Sequence, residues 1–265
     1  QAYIADIEAR ETPGTPAILQ TMRAALAMEL KEKLGVDRIE RREEELAARA
    51  YERLSAHPGI ALMGDVGPEH RLPIFSFNIR IGSSWLHPRF VTTLLNDLFG
   101  IQSRAGCSCA APYGHRILHI DRQRSSELRK SIMDGNIGLK PGWTRVNFHF
   151  LHTDDEVDFL CDAILFVADN GTKFLPLYEF DIRTGAWRCR GFEENVERCD
   201  LDTETRPAAS ATLPAGAALF RAYLEEALRR AGELGERFSP SELKHTEENL
   251  IPFLYVQEAQ HGVHQ

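Results

Sequence analysis

Two cysteines lie close together in a part of the chain that shows no sustained helical or strand period. The run Cys107-Ser108-Cys109 follows Arg104-Ala105-Gly106 directly. A thiol in a loop near a cation has a lowered pKa, so either cysteine could act as a nucleophile. A free cysteine is also often just a small buried side chain. Catalysis and burial are therefore both open for this pair.

The same cysteines could be combined with His115 or His119 into a zinc site. Zinc sites that use cysteine pairs normally have two residues between the cysteines and draw on a second pair. Here one residue separates Cys107 from Cys109, and no second pair exists. We expect no metal site.

An arginine falls on the polar side of an otherwise apolar strand. Residues 144–150 alternate, with Val146, Phe148 and Phe150 on one side and Arg145 on the other, which predicts a half-buried strand. A guanidinium held there can bind a carboxylate through two parallel hydrogen bonds. The carboxylate could belong to a substrate, or to an Asp or Glu in a structural ion pair.

The run Gly14-Thr15-Pro16 precedes a periodic apolar stretch that continues to Gly35. Thr15 is a suitable N-cap and Pro16 a suitable first helical residue. A hydroxyl and backbone N–H groups at a helix start also form a natural anion site. On its own, the run indicates only a well-capped helix.

The elements that must position these residues follow from periodicity and from capping residues. A capping box at Thr153 and Glu156 starts a helix that Gly171 should end. Residues 101–119 predict a short strand followed by a loop. The remaining predictions are helices over 37–54, 88–99, 121–133 and 217–234, strands over 59–63 and 75–81, and a hairpin over 175–187.

The composition is that of an ordinary globular protein, with 265 residues, 43% of them hydrophobic and 26% charged. A net charge of -8 argues against nucleic-acid binding. No apolar stretch is long enough to span a bilayer, and the first residues do not form a signal peptide. The odd count of five cysteines does not indicate a disulfide framework. We expect a cytoplasmic protein that does not bind membranes.

In order and spacing, these features resemble the C-terminal half of the class V aminotransferase and cysteine desulfurase family, which are pyridoxal-phosphate-dependent enzymes of fold type I. Gly14-Thr15-Pro16 matches the Gly-Thr-Pro of the family, and Ser76-Phe77 matches its Ser-Phe strand. Residues 100–112 match its cysteine segment and read Gly-Ile-Gln-Ser-Arg-Ala-Gly-Cys-Ser-Cys-Ala-Ala-Pro. The resemblance covers roughly residues 8–170.

The resemblance implies roles for five residues. Gly14 and Thr15 would contact the phosphate of a cofactor bound in the partner subunit. Arg145, which precedes the run 152–158 at the family's distance, would bind the substrate carboxylate, and Arg104 would also bind substrate. Cys109, five residues after Arg104, would be the persulfide-forming nucleophile. Cys107-Ser108 replace the His pair that is common in the desulfurases.

The family's cofactor lysine lies upstream of Gly-Thr-Pro, and no lysine of this chain has the matching surroundings. The chain also opens within a polar run, without Met. We therefore expect a cut chain, in which residues 1–14 are a remnant of the large-domain connection, residues 15–170 form the small domain, and residues 171–265 are an extension. The implied fold is an α/β small domain of fold type I, with helices on one face of a short, mainly antiparallel sheet.

The whole protein would then act on an amino acid, with pyridoxal phosphate as its cofactor. If the substrate is cysteine, Cys109 would take its sulfur, and a homodimer and a sulfur acceptor protein would be its partners. Two alternatives are open. The enzyme could be an aminotransferase, lyase or epimerase without sulfur chemistry, or the chain could be a non-catalytic dimerisation module.

Overall fold

The computed structural model describes residues 3–12, 14–64, 66–107, 111–192, 216–235, 243–245 and 254–256. The chain divides into two compact units, residues 1–43 and residues 44–265. Within the described ranges, no helix is both long enough and apolar enough to cross a membrane.

Helices and strands alternate irregularly along the chain. The helices are α1 (Ile7–Glu11), α2 (Ile18–Leu34), α3 (Val36–Ser55), α4 (Pro88–Phe99), α5 (Ala111–Ile117), α6 (Arg122–Met133), α7 (Asp154–Phe174) and α8 (Ala217–Leu234). The strands are β1 (Ile60–Leu62), β2 (Ile74–Ile81), β3 (Ser84–Trp85), β4 (Arg104–Gly106), β5 (Trp143–Asn147), β6 (Tyr178–Asp181), β7 (Ala186–Cys189), β8 (Leu243–His245) and β9 (Leu254–Val256).

The main sheet has five strands, all paired antiparallel, in the order β1-β2-β5-β4 with β3 also paired to β2. Strand β2 is central and alternates as its sequence predicts. Phe75, Phe77 and Ile79 are fully buried on one face. Ser76 and Arg80 therefore belong to the opposite face, since successive side chains of a strand point to opposite sides. The prediction of a short antiparallel sheet is confirmed.

The apolar face of the sheet is covered by helices. Within residues 44–265, buried side chains of α3, α4 and α7 join those of β2 and β5 in one core. The core is dominated by Phe and Leu, whose burial stabilises a fold by roughly 1.5–3 kcal/mol per side chain. Its largest fully buried members are Leu46, Leu54, Phe75, Phe77, Ile79, Leu86, Phe90, Leu94, Leu95, Phe148, Ile164 and Phe174. Helices on one face of the sheet are thus confirmed.

Ion pairs join α3 to α7 beside this core. Asp158 accepts hydrogen bonds from Nε of Arg49 at 2.8 Å and from Nη1 of Arg53 at 3.0 Å. Arg53 also pairs with Asp162. The hydrogen bond from Arg49 holds the pKa of Asp158 below its ordinary value. Both arginines lie beside the apolar stripe of α3. Part of the charged face of this helix therefore packs against α7.

Helix α2 begins later than its sequence predicts, and Thr15 is not its N-cap. The cap position is Ala17, which makes no side-chain cap bond. The N–H of Ile18, which a cap at Thr15 would bind, instead donates to the carbonyl of Pro16 at 2.8 Å. A tight turn therefore precedes the helix. None of the side chains of α2 is buried.

Two predictions around glycines were wrong. The segment after β4 forms helix α5 and not the predicted loop, and Gly114 of this helix lies so close to Trp143 that a Cβ would meet its ring at 3.2 Å. Helix α7 does not end at Gly171 but continues to Phe174. A Cβ on Gly171 would lie 2.8 Å from Cδ1 of Leu86, so this glycine serves close packing and not helix termination.

The C-terminal elements share the same core. Strands β6 and β7 form the predicted hairpin, and α8 has its predicted bounds. Tyr178 and Trp187 of the hairpin and Ala227 of α8 are buried with the core of the sheet. Residue 171 lies inside α7, so secondary structure is continuous there. The linker predicted before residue 216 lies outside the described residues.

His87 is a buried, neutral histidine at the start of α4. Its Nε2 lies 2.9 Å from the carbonyl oxygen of Gly138, and its Nδ1 accepts the backbone N–H of Arg89 at 3.2 Å. These contacts require a proton on Nε2 and a lone pair on Nδ1. Burial lowers the pKa of His87 from 6.5 to about 4, although the bond to Gly138 opposes the shift.

We expect the stability of the protein to fall as the pH drops from about 6.5 to about 4. In this range the unfolded chain binds a proton at His87 and the folded chain does not. The stability that neutral His87 contributes is therefore fully present above pH 6.5 and is lost progressively as the pH falls to about 4. At about 1.4 kcal/mol per pKa unit, the loss is about 3–3.5 kcal/mol. Urea unfolding of the wild type and of His87→Asn across this range measures it. Asn can still cap α4, so an equally steep fall in the variant would contradict the assignment.

Candidate active site

The polar face of the sheet carries the basic residues that the sequence singled out. Ser76 pairs with Arg145 of β5, and Arg145 pairs on its other side with Arg104 of β4. Paired residues of neighbouring strands lie on the same face. Ser76 is on the face opposite Phe75 and Phe77, so all three side chains belong to the face opposite the layer formed by α3, α4 and α7. The predicted outward placement of Arg145 is confirmed.

Arg145 is half-buried, and its guanidinium makes no hydrogen bond or ion pair with any described residue. A structural ion pair with an Asp or Glu was the alternative interpretation of this residue. The described part of the chain contains no such partner. A partly desolvated guanidinium is stabilised by a carboxylate that it can bind with two N–H groups. The side chain is therefore available for an anion supplied by another molecule.

Arg104 and Arg145 are direct cross-strand neighbours. Residues that face each other across an antiparallel pair have Cβ atoms about 4.5–5.5 Å apart, and like charges there are destabilising. Arg104 also makes no hydrogen bond or ion pair with a described residue. Two neighbouring arginines with no carboxylate partner among the described residues are a candidate site for an anion. The sequence named both residues but did not show that they are paired.

Strands β4 and β5 approach unusually closely just beyond this pair. A Cβ on Gly142 would lie 2.6 Å from both Cα and C of Gly106, and 3.1 Å from the backbone N of Cys107. Gly106 has φ = 122°, a conformation that favours glycine. The chain therefore leaves the sheet toward Ser108 through a contact that only glycine allows at 142. Sequence analysis missed Gly142, whose only signal was the Pro-Gly pair at 141–142.

The predicted nucleophile, Cys109, lies outside the described residues, so its role stays a prediction. Cys107 is a half-buried free thiol. It lines an apolar pocket of about 270 Å³, together with residues of α5 and α6. Within the described ranges, no three His, Cys, Asp or Glu side chains are grouped as a metal site would require.

Two other cysteines are poorly suited to nucleophilic chemistry. Burial raises the pKa of the Cys161 thiol to about 12. Burial also raises the pKa of Cys189, and the charge of Asp97 adds to that effect. A thiol with a raised pKa carries little thiolate at neutral pH. Neither thiol competes with the segment after β4 as a candidate nucleophile.

Gly14 and Thr15 are exposed ahead of α2, in the unit of residues 1–43. No atom lies within 4 Å of a Cβ built on Gly14, and the Thr15 hydroxyl makes no hydrogen bond with a described residue. Open space and an uncommitted donor at a helix start fit the phosphate of pyridoxal phosphate. These two residues would contact only the phosphate group of the cofactor.

Two of the described lysines have partners within their own helices. Lys33 pairs with Glu29 along α2, and Lys173 donates to Asn170 within α7. Lys130 belongs to α6 and Lys140 to the segment before β5, so neither is a residue of the strands that carry Arg104 and Arg145. The expectation that the lysine lies in another part of the protein therefore stays a prediction.

Comparison with known proteins finds probable cysteine desulfurases among the relatives of this chain. A probable cysteine desulfurase of Staphylococcus aureus (strain COL) is 36% identical over 176 residues, which are 66% of this chain and 35% of the relative. A probable cysteine desulfurase of Halobacterium salinarum is 30% identical over 151 residues, 57% of this chain and 30% of the relative. An apo structure of a cysteine desulfurase from Thermococcus onnurineus NA1 is 26% identical, covers 60% of this chain and 33% of that chain, and has a TM-score of 0.47.

The chain spans about a third of the length of these relatives. The sequence profile described as "Aminotransferase class-V" matches residues 2–160. This range contains Gly14, Thr15, Arg104 and Arg145, together with every strand of the main sheet. Enzymes of this family depend on pyridoxal phosphate. The chain belongs to the class-V aminotransferase family.

Proposed function

We propose that this chain forms the substrate-binding C-terminal part of a pyridoxal-phosphate-dependent cysteine desulfurase. The observation that carries the proposal is the pair of arginines, Arg104 and Arg145, which face each other across β4 and β5 with no described carboxylate between them. An amino acid supplies the carboxylate that such a pair binds. The segment that follows Arg104 leads, within five residues, to Cys109.

In this proposal Arg145 binds the carboxylate of the substrate cysteine, and Arg104 adds a second cationic contact. Pyridoxal phosphate, when bound, supplies an electron sink for the substrate. The thiolate of Cys109 attacks the substrate sulfur. The new S–S bond forms as the C–S bond of the substrate breaks, and its electron pair stays with the substrate carbon. Uptake of a proton there yields alanine, and Cys109 retains a persulfide.

Two features support a homodimer as the working form. The open position at Gly14 and the free hydroxyl of Thr15 suit a cofactor phosphate of the neighbouring subunit. Helix α2 exposes Leu19, Met22 and Leu26, each by more than half. An exposed apolar row of this kind is typical of an interaction surface. Light scattering of the whole protein tests the dimer. We also propose that the protein is cytoplasmic and passes its sulfur to an acceptor protein.

The experiment compares Cys109→Ser with Cys107→Ser in the whole protein. We expect Cys109→Ser to abolish sulfide formation from L-cysteine, since its hydroxyl is a far weaker nucleophile at neutral pH. Cys107→Ser changes the neighbouring thiol in the same way and should retain most of the activity. Alanine and sulfide are measured together in excess dithiothreitol, which reduces the persulfide and releases its outer sulfur as sulfide, because the proposal then requires equal amounts. Undiminished sulfide formation by Cys109→Ser would contradict it.

One observation favours a second function within the same family. Cys107-Ser108 occupy the positions of the His pair that is common in the desulfurases. An aminotransferase, lyase or epimerase would use the same arginines for its substrate carboxylate, with Cys109 only lining the site. In that case Cys109→Ser would process an amino acid other than cysteine at the wild-type rate. Fold and carboxylate binding are common to both reactions, so only the products separate them.

A further inference from the structure

A second basic site lies on the polar face of the sheet, in a cleft of about 640 Å³. One wall is formed by β1, β2 and β3, and the other by α5 and the start of α6. Ligand pockets for small molecules commonly have volumes of about 300–1,000 Å³. The lining residues are Ala61, Leu62, Met63, Gly64, Asn78, Arg80, Trp85, Tyr113, Arg116, Ile117, Leu118, His119 and Arg124.

The charge of this cleft is opposite to that of the chain. Three of the described lining residues are arginines, Arg80, Arg116 and Arg124, and none is acidic. The chain as a whole carries a net charge of -8. Guanidinium groups gathered in a concave surface without carboxylates attract anions and bind them bidentately. The cleft is therefore a candidate site for an anion with more than one negative charge.

The described contacts of Arg80 and Arg116 leave both guanidinium groups available in the cleft. The guanidinium of Arg80 lies over the ring of Trp85, 5.1 Å from its centroid, which orients the group without neutralising it. The side chain of Arg116 makes no hydrogen bond or ion pair with a described residue.

Asn78 supplies a second, independent sign of a ligand. It is 8% exposed, its Nδ2 donates to the carbonyl of Gly142 at 3.2 Å, and its Oδ1 is buried with no hydrogen-bond partner among the described residues. A buried acceptor without a partner costs about 1–3 kcal/mol, so a ligand N–H or O–H that reaches it is favoured.

This cleft is separate from the arginine pair of the candidate active site. Ser76 is the residue of β2 that faces Arg145, and Arg80 is four residues further along β2. At about 3.3 Å per residue, the two positions are about 13 Å apart. Neither Arg145 nor Arg104 is among the described residues that line the cleft. A molecule in the cleft therefore contacts a different set of residues from a substrate carboxylate at the arginine pair.

We propose that the cleft binds a phosphate ester that also carries a hydroxyl or amino group. Arg116 and Arg80 contact the phosphate, which suits several guanidinium groups better than a single carboxylate does. The hydroxyl or amino group donates to Oδ1 of Asn78. The exposed ring of Tyr113 and the apolar side chain of Met63 contact the body of the molecule.

Calorimetric titration of the full chain tests the proposal with four probes: inorganic phosphate, AMP, adenosine and succinate. We expect AMP to bind more tightly than phosphate, and adenosine to bind at least tenfold more weakly than AMP. Arg116→Gln should weaken AMP binding about tenfold or more, because a charge-assisted pair is lost. Arg122→Gln removes the same charge from the exposed start of α6, outside the cleft, and should leave binding unchanged.

Three results would overturn the proposal: no saturable binding of phosphate or AMP, equal binding by Arg116→Gln, or tighter binding of succinate than of AMP. Arg116 is exposed, so its variant should fold, and circular dichroism checks this. Arg145→Gln is tested alongside. Loss of AMP binding in that variant would place the ligand at the arginine pair and also overturn the second site. Because the readout is binding, the result does not depend on desulfurase activity.

Discussion

Arg145→Gln in the whole protein is expected to lower kcat/KM for the amino-acid substrate about a hundredfold, mostly through a higher KM. Truncating one partner of a desolvated, hydrogen-bonded charge pair costs about 2–5 kcal/mol, and 1.4 kcal/mol corresponds to a factor of ten. Steady-state kinetics over a wide range of substrate concentration measures the effect. Arg145→Lys keeps the charge but not the bidentate geometry, so its KM should lie between those of the other two proteins.

The same variant separates binding from a structural role. A structural ion pair at Arg145 would make the glutamine variant less stable. Removing one of two facing arginines instead relieves a repulsion, so we expect Tm to stay equal or to rise slightly. Arg122→Gln, which alters an exposed position on α6, serves as the control for charge. An unchanged KM together with a lowered Tm would contradict the assignment of Arg145 to the substrate carboxylate.

Gly142→Ala is expected to lower the stability of the chain by about 2 kcal/mol, because forcing extra atoms into packed structure typically costs about 1–3 kcal/mol. The added Cβ would lie 2.6 Å from backbone atoms of Gly106, and backbone cannot rotate away as a side chain can. Strand β4 must shift, and with it the backbone that leads to Cys109. Urea unfolding measures the stability, and sulfide formation by the whole protein measures the displacement.

Gly232→Ala provides the matched control for Gly142→Ala. Gly232 lies in α8, and no atom lies within 4 Å of a Cβ built there. Alanine is favoured over glycine inside a helix by about 1 kcal/mol, so this variant should be more stable than the wild type. If both variants were equally stable, the close approach of β4 and β5 would not restrict residue 142.

Much of the fold could be predicted because its signals are local. The alternation in β2 and β5, the glycine that ends α4 and the capping box at Thr153 each depend on residues within one element. The predictions failed where a distant contact decides. Gly171 looks like a helix stop, but its role is to make room for Leu86, which is 85 residues earlier in the chain.

The candidate site shows the same division. Alternation alone placed Arg145 on the polar face, and the family resemblance supplied Arg104. That the two face each other depends on the register between β4 and β5, which local sequence does not encode. The basic cleft depends on α5, a helix where the sequence predicts a loop. The sequence therefore does not indicate that Arg116 and Asn78 line the same cleft. The role of Cys109 stays a prediction.

The facing arginines imply a conflict between what the sheet needs in order to fold and what the protein needs in order to work. Threonine or another β-branched residue at either position would suit an antiparallel strand better than a second positive charge. If random variants of this chain were selected only for resistance to unfolding, arginine should therefore disappear from positions 104 and 145. If they were selected for activity in the whole protein, both arginines should persist despite their cost to stability.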